Sequence, residues 1–208
     1  MKKTKKILAL ALAAVMLVCT TVAATVAYLT ANTGVVNNTF TVGSVAIELD
    51  ETDVDIYGVK DGNTRVKANQ YKLIPGHKYV KDPEVRVVSG SEQSYVFIKV
   101  VNDISAIEAT TKTIASQIAE NHWKQLKDKD GNDVTNVYYY ESIVDARTAE
   151  QKLPVFGEFT LKTDANVASL ADAQGNVASV ITIDAYAVQA DGFANAAAAW
   201  EAAPTTWN

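Results

Sequence analysis

The sequence predicts an all-β fold, mainly antiparallel: a jelly-roll-like β-sandwich with one or two accessory helices, preceded by a signal peptide. Apolar and polar residues alternate in many short runs, among them VRVV, YVFIKVV and VITIDAYAV. Turn residues such as Pro75-Gly76, Asp130-Gly131 and Gly175-Asn176 punctuate those runs. Only two stretches repeat apolar residues with the period of a helix. Many short strands with so few helices bury their faces by stacking one sheet on another.

The chain opens with the basic MKKTKK, continues as the apolar ILALALAAVMLV and then reaches the small-residue segment VAATVA. This is the order of a secretory signal peptide, and cleavage is expected between Ala27 and Tyr28. The uncharged run from Ile7 to Leu29 also reaches the roughly 20 residues that span a bilayer, so an uncleaved anchor is the alternative. Three segments follow: a signal peptide over 1–27, an N-terminal strand segment over 28–49, and a domain over 50–208, enough chain for a full core. The single cysteine, Cys19, lies in the leader, so the mature chain is expected to rest on packing without disulfides. Without the four leader lysines, 15 basic side chains stand against 24 acidic ones, a net charge of −9. Such a surface disfavours nucleic acid and anionic membrane as partners.

In TFTVGSVAIEL, Phe40 and Val42 share one parity while Val45, Ile47 and Leu49 share the other. One long strand with a β-bulge at Gly43-Ser44 accounts for that slip. No charged residue occurs from Tyr28 to Ile47. DETDVD then reads as an acidic loop, and the text to Gln70 has little period. Val85 and Val87 mark one strand, Val96, Ile98 and Val100 the next, with SGSEQS as the turn between them. Ile107, Ile114 and Ile118 predict a helix from about Ala106 to Asn121. Two strands about Asp130-Gly131 place Tyr138 and Tyr140 on one face and Tyr139 on the other. VFGEFTLK and SVITIDAYAVQA complete the strands; the second, apolar or small on both faces, reads as a central strand. Asp191 reads as the cap of a last helix, GFANAAAAWEAA, with Phe193, Ala197 and Trp200 as its stripe and Pro204 as its stop.

No catalytic residue is predicted. His77 and His122 are far apart, with no H-E-x-x-H pattern, no G-x-S-x-G elbow and no mature thiol. His77 reads as a solvated loop residue and His122 as a capping or packing residue. No cofactor and no metal site is predicted. The acidic runs could attract calcium, but Tyr57 falls at the fifth position counted from Asp53, where an EF-hand needs an oxygen ligand. DKDGND reads as a hairpin turn with solvated charges. Trp123 and Tyr138 to Tyr140 read as cross-strand pairs and core, with a sugar-stacking platform as the alternative.

The block AYLTANTGVVNNTFTVGSVAIELDE after the apolar segment resembles the secreted TasA and camelysin (CalY-like) family of Gram-positive bacteria. IPGHKYVKDPEVRVVSGSEQSYVFIKV and VITIDAYAVQADGF are similar to the same family. The resemblance implies a jelly-roll matrix protein, matured by a SipW-type signal peptidase and located in the extracellular matrix or at the cell surface. It further implies self-assembly into biofilm fibres, in which the N-terminal segment of one copy adds as a strand to its neighbour. By position the donor lies within Tyr28 to Leu49 and includes Phe40, Val42, Val45, Ile47 and Leu49. An anchoring or accessory matrix protein would be a further partner. The camelysin label also implies a metal-dependent endopeptidase, for which these residues supply no catalytic constellation. A monomeric adhesin using Tyr138 and Tyr140 is the remaining alternative.

Overall fold

The alternating valines and isoleucines form the centres of two sheets in the computed structural model, which describes residues 43–170 and 181–202. The first sheet has the order β2-β1-β4-β8, from β1 (Ile47–Val54), β2 (Lys60–Val66), β4 (Glu84–Val87) and β8 (Gln151–Pro154). The second has the order β10-β5-β7-β6, from β5 (Ser94–Asn102), β6 (Trp123–Lys127), β7 (Asp133–Tyr140) and β10 (Ile181–Gln189). A two-stranded ribbon joins β3 (Lys78–Val80) to β9 (Glu158–Thr160). Every strand pairing is antiparallel, and the fold is mainly β as the alternation predicts.

The two sheets share one core. Val85, Val87 and Leu153 from the first meet Val96, Ile98, Val100 and Trp123 from the second, with Tyr79 and Phe159 of the ribbon stacked at 4.8 Å between ring centroids. Trp123 also ties β6 to β8, its Nε1–H donating to the Pro154 carbonyl at 2.9 Å. Each such side chain contributes about 1.5–3 kcal/mol by leaving water. The other face of the second sheet is covered as well. Phe97, Leu126 and Val137 lie against Ala196 and Ala199 of a short helix, and Trp200 meets Phe97 at 5.3 Å.

Several boundaries differ from the sequence reading. DETDVD is no loop: Asp50 to Val54 continue β1, and the first four residues of that strand pair with β4 while the last four face β2. The segment that showed little period contains β2, whose KDGNTRV lacks alternating apolar residues because it lies at a solvent-facing edge. Gly43 to Ala46 are not strand, so no bulged strand runs through Gly43-Ser44; Phe40 and Val42 lie outside the described residues. The compact unit starts at Gly43. The helix expected over 106–121 shortens to α1 (Ile114–Glu120), capped by Thr113, whose hydroxyl accepts from Ser116 N–H at 3.1 Å. Upstream, residues 103–107 form a turn, and the buried Glu108 bridges to Leu161 while its carboxylate accepts from Ile114 N–H at 2.6 Å. Of VFGEFTLK only Glu158–Thr160 is strand, as β9; Val155 and Phe156 lie in the link from β8 to β9 and enter the core. The last helix, α2 (Ala196–Ala202), is capped by Asn195, which accepts from Ala198 N–H at 2.9 Å, rather than by Asp191.

Gly58 has φ of 75° and presses on Tyr79, where an added Cβ would lie 2.9 Å from the Tyr79 Cα. Gly58→Ala is therefore expected to cost about 2–4 kcal/mol, from left-handed strain plus a backbone clash. Urea unfolding measures it.

Candidate assembly site

A sheet can grow only where a strand leaves its main-chain donors and acceptors unpaired, so the chemistry of each edge decides whether it is open to a further strand. β2 carries Lys60, Asp61, Arg65 and a glycine with φ of 77°. β8 ends in Pro154 and exposes Lys152. β6 exposes Lys124 and Lys127 and is irregularly paired with β7 between Gln125 and Lys127. All three are blunted in the ways natural edges are.

β10 is not. Its nine residues, ITIDAYAVQ, contain one charge, Asp184, and neither proline nor glycine. They pair without a slip along β5, and among the described residues no strand runs along the other side. The ladder continues past its end, where Ala190 N–H donates to the Gln93 carbonyl at 2.6 Å. Antiparallel ladders alternate. Hence the even residues Thr182 to Val188 turn their main-chain groups to β5, and Ile181, Ile183, Ala185, Ala187 and Gln189 turn theirs outward. Ile181, Ile183, Ala185 and Ala187 also face the common core and are only half-buried there. A strand laid along β10 would thus gain hydrogen bonds and cover core side chains together.

The sequence reading placed β10 at the centre of a sheet. Apolarity on both faces reflects the core on one side and α2 on the other, and says nothing of the edge.

Of the five residues assigned to the donor strand, the structure describes three. Ile47 and Leu49 pair within the chain to Val87 and Val85, and with Val45 they pack against the common core. In the single chain Ile47 and Leu49 thus have a place in the domain's own sheet, while Val45 lies outside any strand. Phe40 and Val42, like Ala27 and Tyr28 at the expected cleavage point, lie outside the described residues.

The acidic run of β1 is occupied by cations of the same domain. Asp50 is held between Arg65 and Arg86, and Arg86 also reaches Glu48 at 2.7 Å. Glu51 is buried against Lys81, Nζ to Oε2 at 2.6 Å, with Asn69 donating to its other oxygen at 3.0 Å. Among the described residues no three acidic or histidine side chains gather as a metal site. Burial alone would raise the Asp50 carboxyl, but the hydrogen bonds and charges of Arg65 and Arg86 outweigh it and hold it below its ordinary 3.8. The native state therefore binds this proton less readily than the unfolded chain. Its contribution is full above pH 3.8 and is lost as the pH falls further. Asp50→Asn is expected to flatten the acid limb of the stability curve below that pH, as thermal melts across a pH series would show.

The histidines are structural too. His77 is half-buried, edge-on to Tyr79 at 4.6 Å and hydrogen-bonded to the Tyr57 carbonyl at 2.9 Å, so it is not the solvated residue expected. His122 follows α1 with φ of 67° and bonds Glu141 at 2.6 Å. Tyr138 and Tyr140 pack on the common core and Tyr139 on the second cluster, the facing that the hairpin reading predicts. No protein-family model, no curated protein and no solved structure matches the chain.

Proposed function

We propose that this is a secreted, non-enzymatic structural protein of the extracellular matrix or cell surface. Copies assemble into fibres by strand addition, with the segment before β1 of one copy lying along β10 of the next. The observation that carries this reading is the edge of β10, unguarded among the described residues, with outward main-chain groups and half-buried core side chains on the same residues. The uncharged segment 28–43 has the composition to pair there. Donor and acceptor are different surfaces, so the contact is heterologous and propagates into an open filament. The resemblance to the TasA and camelysin family supports the same assignment, with a SipW-type peptidase freeing the segment and an accessory matrix protein anchoring the fibre. Processing then acts as the switch, because a tethered segment cannot reach a neighbour.

The test is negative-stain electron microscopy of residues 28–208 beside a form whose N-terminus is extended and blocked. Filaments are expected only from the free N-terminus. A chain beginning at Ser44 keeps all of β1 and is expected to fold without polymerising. Monomers from every form at high concentration would overturn the reading.

A further inference from the structure

We propose that the end of the molecule formed by the β1–β2 turn and the Ile74–His77 turn docks on the surface of a lipid bilayer. Five large apolar side chains are exposed among the described residues, and four of them, Ile56, Tyr57, Val59 and Ile74, lie at this one end. Their proximity is fixed by bonds between the two turns. Lys72 N–H donates to the Ile56 carbonyl at 2.7 Å, and His77 bonds the Tyr57 carbonyl. Ile74 N–H is held by the Tyr79 hydroxyl at 2.7 Å. Nothing here is a loose loop: Gly58 is wedged on the fully buried Tyr79, and Asp55 Oδ1 accepts from Tyr57 N–H and Val59 N–H, each at 2.9 Å. The four side chains are presented on a rigid support.

The area and the charges decide the occupant. At exposures of 36–60% the four residues offer on the order of 350 Å² of surface, the size of a functional patch on a monomer. A stable protein interface needs about 800 Å² from each partner, more than twice as much. A bilayer sets no such minimum, since each apolar side chain that enters it adds independently. Charge around the patch is balanced rather than one-signed. Lys60, Lys72 and Lys78 are set against Asp55, committed to its turn, Asp61, and Glu158, which pairs with Lys78. The Lys72 ammonium lies over the Tyr57 ring, 5.9 Å from its centroid, so this charge is engaged at the rim of the patch. This balance suits zwitterionic lipid despite the acidic surface as a whole, and it is independent of pairing along β10.

Flotation of residues 28–208 with phosphatidylcholine vesicles tests it, in an Ala185→Pro background that keeps the chain from polymerising. The protein is expected to float with the vesicles. Ile56→Ser with Val59→Ser is expected to lower the partition coefficient about tenfold or more at an unchanged melting temperature. Ile143→Ser, at an exposed apolar residue away from this end, should leave it unaltered. Three results would overturn the proposal: no flotation of the parent, flotation that survives the double substitution, or equal loss from Ile143→Ser. If instead the double substitution abolishes a vesicle-free association seen in sedimentation velocity, the occupant is a second copy and the lipid reading falls.

Discussion

Ala185→Pro is expected to abolish fibres while leaving the domain folded. The Ala185 N–H points away from β5, so proline removes no ladder bond, and an edge strand with its N–H side free is where a sheet admits this residue. Its ring would stand where a neighbour's strand must lie. The stability cost should stay near 1 kcal/mol, within the usual range for a single substitution. Asp184→Pro is the matched control. Asp184 is exposed, yet its main chain faces β5 opposite Lys99, so proline there breaks the ladder and is expected to cost about 2–4 kcal/mol. Electron microscopy and thermal unfolding separate the two effects. Fibres that persist in Ala185→Pro at wild-type abundance would place the acceptor elsewhere.

Lys81→Met is expected to give the largest loss of stability from a single side chain. The Lys81 and Glu51 side chains are only 9% and 5% exposed, and the ammonium also lies 5.8 Å from the centre of the Tyr71 ring. Removing the lysine strands a carboxylate in the interior, a defect that costs about 3–5 kcal/mol. That is a large part of the 5–15 kcal/mol that typically holds a domain together. Adding Glu51→Leu should recover most of the loss, because an apolar pair of similar volume replaces a buried ion pair at little net cost. A double-mutant cycle by urea unfolding reads both values. A loss under about 1 kcal/mol for Lys81→Met would mean that the pair is solvated.

These two predictions fall where sequence reasoning was weakest. Glu51 sits in a run of carboxylates that looks like a solvated loop, because the lysine that neutralises it lies 30 positions away. Only the β1 and β4 pairing brings that part of the chain together. Ala185 lies in a segment whose apolarity on both faces suggested a central strand. Side chains report which faces are covered, whereas an open edge is a property of main-chain groups that every residue carries alike. The shortened α1 belongs with these cases: Ile107, Ile114 and Ile118 keep a helical spacing, but Glu108 is held by Asn102 and Ile114 and the chain turns there.

What the sequence determined by itself is local. Alternating Val, Ile and Tyr specify the β class, and each alternation of side chains assigns its own faces, as Tyr138, Tyr139 and Tyr140 show. Asp130-Gly131 sets a hairpin because glycine takes the positive φ of 84° the turn needs. The charge-free run from Tyr28 to Ile47 is likewise plain in the text. The tertiary structure alone decided which strands neighbour which, and therefore which edge is left open. It also decided which charges meet in the interior and which apolar side chains crowd one end. Those outcomes depend on residues 15 or more apart being brought together, and no short-range period in a chain encodes that.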